Sequence, residues 1–114
     1  MRSEGISVSA FVIYDAPRRT GRGMLDPITV ILRDWGGGGQ IIVECFGAAW
    51  SHWFGAIGTQ TLCTFIVQCD AGYLADKLIS TTVRNPAKQR YLNELAYLED
   101  IAKAIQLHMN GGAA

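Results

Sequence analysis

The sequence predicts an α+β domain: an antiparallel sheet of about three strands in the N-terminal half, packed on one face by helices from the C-terminal half. Two observations predict it. Short runs of β-branched and aromatic residues crowd the first part of the chain, two of them joined by the glycine run Gly36–Gly39. After Gly58 the apolar residues recur at helical spacing instead. Strands first and helices afterwards is the α+β order. At 114 residues the chain is a single domain, with a sheet and aromatic corner over 7–58 and a helical part over 59–110.

The first strand is "SVSAFVIY", Ser7 to Tyr14, closed by the Pro- and Gly-bearing segment "DAPRRTGRG". "PITVILRDW", Pro27 to Trp35, and "QIIVECF", Gln40 to Phe46, are the second and third. A two-residue turn centred on Gly37 and Gly38 pairs Trp35 with Gln40 and Arg33 with Ile42. One face of that hairpin then collects Ile28, Val30, Leu32, Ile41, Val43 and Cys45 and packs on helices. The other holds Thr29, Ile31, Arg33, Ile42, Glu44 and Phe46, mixed and only partly covered, with Arg33 and Glu44 as diagonal neighbours.

"ECFGAAWSHWFGAIGTQT", Glu44 to Thr61, reads as the corner where the sheet gives way to the helices, its aromatics wedging the junction and its glycines turning the backbone. Thr59 or Thr61 caps a first helix through "LCTFIVQC", a stretch whose β-branched content also suits a strand. Asp70 caps "AGYLADKLIS", with Tyr73, Leu74 and Leu78 on one face. Asn85 and Pro86 open a last helix running to Met109. Its stripe, Tyr91, Leu95, Leu98, Ala102, Ile105 and Met109, steps by four and three. Packing on the sheet is the expected use of that stripe, and a homodimer through the 91–109 helix is the alternative.

Composition excludes several classes. A 49% hydrophobic fraction argues against disorder, yet no apolar run is long enough to span a membrane. The N-terminus lacks the features of a secretory signal. Ten acids balance ten bases, so any nucleic-acid binding needs a local basic patch. Cys45, Cys63 and Cys69 are odd in number and irregularly spaced, which fits free core thiols in a reducing cytosol rather than disulfides or a metal site.

Catalytic constellations are equally hard to assemble. Ser51 and His52 are adjacent, so on a strand they face opposite ways, and no G-x-S-x-G surrounds the serine. "FGAIGTQT" has glycines and threonines before a helix but not the lysine of a phosphate loop. Asp15, Asp26 and Asp34 border strand ends and read as turn residues. The expectation is a protein that is not an enzyme and needs no cofactor or metal.

What remains are surface candidates. Trp35 beside four glycines, with Arg33, makes a natural anchor, since tryptophan and arginine dominate binding surfaces; Trp50, Trp53 and Phe54 extend it. The loop arginines Arg18, Arg19 and Arg22 are partner contacts or, with Lys77, Arg84, Lys88 and Arg90, a nucleic-acid surface. Residues 50–61 as a small-ligand pocket are a further alternative.

Three motifs add a resemblance. "LDP" at Leu25–Pro27, "AWSHWFG" at Ala49–Gly55 and "CDAGYLADKL" at Cys69–Leu78 resemble a family of small proteins encoded by phages and prophages. The likeness spans Leu25 to Ile79, and the arginine loop and glycine run depart from the pattern. It implies a setting, phage accessory genes in a bacterial cytoplasm, rather than a reaction. By analogy of setting and size, such a protein binds and inhibits a host complex, of the anti-CRISPR or replication kind.

Overall fold

The computed structural model describes residues 1–3, 5–18, 23–79 and 89–111. Four strands, β1 (Ser7–Ile13), β2 (Ile28–Asp34), β3 (Gly39–Cys45) and β4 (Ala48–Phe54), form one antiparallel meander in the order β1-β2-β3-β4. Three helices, α1 (Leu62–Gln68), α2 (Ala71–Leu78) and α3 (Gln89–Met109), cover one face. The α+β class is as the sequence predicts, with one strand more than expected. The extra strand is β4, which replaces the expected corner.

The fourth strand forms because Phe46 and Gly47 make a two-residue turn. Both have positive φ, 52° and 78°, and Cys45 faces Ala48 across it. From there the segment alternates, Trp50 and Phe54 inward, Ser51 and Trp53 outward. Phe46 is therefore a turn residue, 79% exposed, and not a member of the sheet face expected for it.

In the β2–β3 hairpin the turn lies one residue earlier than expected. Gly36 and Gly37 carry the positive φ values of 80° and 74°, and the Trp35 N–H donates to the Gly38 carbonyl at 3.2 Å. Val30 thus faces Val43, and Arg33 faces Gln40 instead of Ile42. The register is displaced by two residues, and Glu44, opposite Thr29, is no neighbour of Arg33. An even displacement preserves parity, so the core face keeps its expected members, all 5% exposed or less. Packing explains the choice among the glycines. A Cβ on Gly39 would stand 2.7 Å from the Arg33 carbonyl and 2.8 Å from Leu62, so Gly39 admits α1 close to the sheet, while one on Gly38 would stand 2.9 Å from the Phe54 carbonyl at the end of β4.

Asp34 does more than end a strand. Its Oδ1 accepts the Gly36 N–H and its Oδ2 the Leu62 N–H, each at 2.9 Å, tying the hairpin to the start of α1. Those bonds, chiefly that from Leu62, hold its carboxyl below the usual carboxylate range. Thr61 is the N-cap of α1, accepting from the Thr64 N–H at 3.1 Å, and Asp70 caps α2 through Gly72 and Tyr73. Gln106 of α3 donates to the Ile66 and Cys69 carbonyls, the latter at 2.5 Å, so α3 satisfies the C-terminal end of α1.

The α3 stripe is spent inside the molecule. Leu98, Ala102 and Ile105 are fully buried, together with Ile101, while Tyr91, Leu95 and Met109 pack on the core's edge. The expected start of this helix at Asn85 and Pro86 lies outside the described residues. On α2, Leu74 and Leu78 are buried but Tyr73 is 43% exposed, a departure from its expected face. Among the described residues no helix is long and apolar enough to cross a membrane.

Candidate functional site

The helices leave the second face of the sheet open, and the observed register arranges it in three cross-strand rows. Val8, Arg33, Gln40 and Trp53 form the first; Ala10, Ile31, Ile42 and Ser51 the second; Val12, Thr29, Glu44 and Ala49 the third. Arg33 and Glu44 are the only charges in those rows. The residues on the outer strands are the most open: Val8 is 60% exposed, Val12 40% and Trp53 63%. Isolated exposed apolar residues are ordinary, whereas a contiguous set on one flat face is informative.

One end of this face is ordered by its own contacts. Trp35 is half-buried and meets Trp53 with ring centroids 4.8 Å apart, tilted by 56°. Arg33 donates to the Gln40 Oε1 at 2.6 Å, one residue pair from Trp53. Three of the expected partner-binding residues, Arg33, Trp35 and Trp53, are therefore together.

The others are not. Trp50 and Phe54, 8% and 5% exposed, are core residues. Trp50 packs on Tyr97 at 6.0 Å and Phe54 on Phe65 at 5.0 Å, so neither extends a surface. Alternation along β4 is the reason: Trp50 and Phe54 lie three and one positions from Trp53, both odd, and so face the other way. Arg18 is exposed beside Lys103 on a groove between the segment after β1 and α3, whereas Arg90 begins that helix, about 20 Å away along its axis. Lys77 lies over the Tyr73 ring at 5.2 Å. Arg19, Arg22, Arg84 and Lys88 lie outside the described residues. The described bases thus form no single patch.

Ser51 and His52 point to opposite faces of β4, the serine into the open face and the histidine against the Phe54 ring at 4.6 Å. Among the described residues no group of His, Cys, Asp and Glu is placed to hold a metal ion. Cys45 is buried, with the Tyr97 hydroxyl donating to its Sγ at 3.1 Å. Burial pushes the Cys45 and Cys69 thiols up, away from the reactive thiolate. Residues 50–61 become β4 and the link to α1. Two shallow grooves, about 370 and 250 Å³, lie between residues 13–18 and α3.

Sequence reasoning found the middle of the open face, Thr29, Ile31, Arg33, Ile42 and Glu44, but not its two sides. Val8 and Val12 were legible as the even positions of "SVSAFVI". The outward set of β4 was hidden because aromatics occupy both parities of "AAWSHWF".

A sequence model of a phage family, Phage_phiTE_072, matches residues 8–110. The chain belongs to this phage family. The match runs from the second residue of β1 to the end of α3, so it takes in all four strands and the three described helices rather than the central half alone. No curated protein and no solved structure matches the chain. This phage protein is thus a small accessory protein, with one face of its sheet left uncovered by the described helices.

Proposed function

We propose that this phage protein acts by stoichiometric protein binding, docking the open face of its sheet onto a host complex, of the CRISPR defence or replication kind, and inhibiting it. The observation that carries the reading is that face itself. Three rows of side chains with two charges among them form it, exposed on the outer strands and half-buried on most of the inner two, with Trp53, Trp35 and Arg33 gathered at one end. Those residue types dominate binding energies when a partner desolvates them, and the ordered tryptophan pair reduces the entropy lost on docking. Membership of a phage family is in keeping with a host target, because a phage multiplies inside its host. Nothing in this mode of action requires a reacting group, which agrees with Ser51 and His52 lying on opposite sides of one strand.

The test is quantitative capture from host extract by the wild-type protein, Trp53→Ala and Arg33→Glu. All three should fold alike, since both side chains are exposed. Trp53→Ala should weaken retention of a specific host complex by about thirtyfold or more, the scale of a binding hot spot. Purified, that complex should lose activity on adding wild-type protein in equimolar amount. Equal retention by all three proteins, or retention of no specific complex, would refute the reading.

A further inference from the structure

We infer that the free edge of β1 is a homodimer interface, two copies joining their sheets by antiparallel β1–β1 pairing about Ala10. This goes beyond the function proposed above and does not depend on it. The first observation is that, among the described residues, no strand pairs with the outer side of β1 and nothing within β1 blocks such pairing. Edge strands usually carry charges, proline or a bulge that block further pairing. Ser7–Ile13 contains no charged residue, no proline and no glycine, and no residue in it has positive φ. Its first four residues are all exposed.

The second observation is which backbone groups the edge offers. Trp35 and Gly38 form a hydrogen-bonded pair at the turn. Alternation along the hairpin then directs the N–H and C=O of Arg33, Ile31 and Thr29 to β3, leaving those of Ile28, Val30, Leu32 and Asp34 for β1. Their partners Ile13, Phe11, Ser9 and Ser7 are satisfied by β2. The groups of Val8, Ala10 and Val12 therefore point away from the sheet, into the free edge.

The third observation selects the occupant. Val-Ala-Val is symmetric about Ala10. A two-fold axis there sets Ala10 against its own copy and Val8 against Val12 of the second copy, each pair exchanging both hydrogen bonds. Every outward backbone group is paired, and β-branched side chains meet across the new junction on the open face. The same register brings exposed Ile6 opposite exposed Tyr14 of the second copy. The other edge offers Ala49, Ser51 and Trp53, which the equivalent axis would pair as alanine against tryptophan, with Trp53 already engaged by Trp35. The result is one continuous sheet across two chains, with the open faces joined.

Sedimentation velocity across micromolar to millimolar concentrations tests this. The wild-type protein should show a concentration-dependent dimer. V8K/V12K and V8E/V12E each set like charges opposite one another and should raise the dimer dissociation constant about tenfold or more, with unchanged far-UV circular dichroism. Mixed, the two variants should recover the dimer, because each introduced lysine then meets a glutamate. Trp53→Ala, on the opposite edge, should leave dimerisation intact. An independent check is Ala10→Cys in a Cys63→Ser background: paired Cα atoms about 5.5 Å apart are within disulfide reach, so mild oxidation should give a covalent dimer. A monomer at every concentration, a dimer indifferent to V8K/V12K, a mixture that stays monomeric, or no cross-link at Ala10 would each overturn the inference.

Discussion

The two faces of the sheet are built from the same four strands, residue by residue in alternation, and have opposite fates. Ile28, Val30, Ile41, Val43 and Cys45 have no exposed surface, while Val8, Val12 and Trp53 on the other side remain in water. Hydropathy is part of the difference, since Thr29, Arg33, Gln40, Glu44 and Ser51 lie on the open side, yet both faces carry valine, isoleucine and tryptophan. The rest is what the C-terminal half supplies. The 3.6-residue stripe of α3 and the short helices α1 and α2 fill one side, and the chain has no further helix among its described residues for the other. A mixed face with exposed valines and a tryptophan, which its own fold does not cover, is available to another molecule.

The largest expected contrast is between matched truncations. Ile41→Ala should cost about 2–5 kcal/mol, because it opens a cavity under the helices. Val12→Ala on the open side should change stability by no more than about 0.5 kcal/mol. Chemical denaturation measures both, and equal costs would mean that the open face is covered in solution. Next is the clamp that holds α3 on α1. Gln106→Ala takes the side-chain donor from the Cys69 carbonyl and leaves the Ile66 carbonyl with the Cys69 N–H alone, and should lose about 1–3 kcal/mol; no change would remove Gln106 from the account of the closed face.

A smaller effect is expected at Asp34, which fastens the hairpin to α1. Its folded-state pKa is depressed below the unfolded value of about 3.9, so the ionised carboxylate stabilises fully above about pH 4 and the contribution is lost as pH falls through the folded value. Asp34→Ala should cost about 1 kcal/mol near neutrality, as for a lost helix cap. Asp34→Asn should make the thermal midpoint less sensitive to acid. An acid limb unchanged in Asp34→Asn would show that other carboxylates govern it.

How far the sequence reached differs between the faces too. The core side was readable because parity survives error: four successive glycines admit several two-residue turns, and choosing the neighbouring one displaced the register by two without exchanging a single face. The α3 stripe was readable because 3.6-residue periodicity over 21 residues leaves little alternative. The open side was harder. Its fourth strand hangs on Phe46 adopting φ of 52°, a backbone position where an aromatic residue is unusual. Without that turn, Trp50, Trp53 and Phe54 read as one aromatic cluster, and the strand splits them between core and surface. Asp34 was legible as a turn residue, but its bond to Leu62, 28 positions on, depends on tertiary packing that no local pattern encodes.

The central claim is that the open face is the working surface, and hydroxyl-radical footprinting of the protein with and without the captured host complex tests it most directly. Protection should fall on Trp53 and Trp35 and on the valines of β1, while Leu92 and Leu107 on the outer side of α3 stay reactive. Protection of Leu92 and Leu107 with Trp53 unchanged would contradict the account.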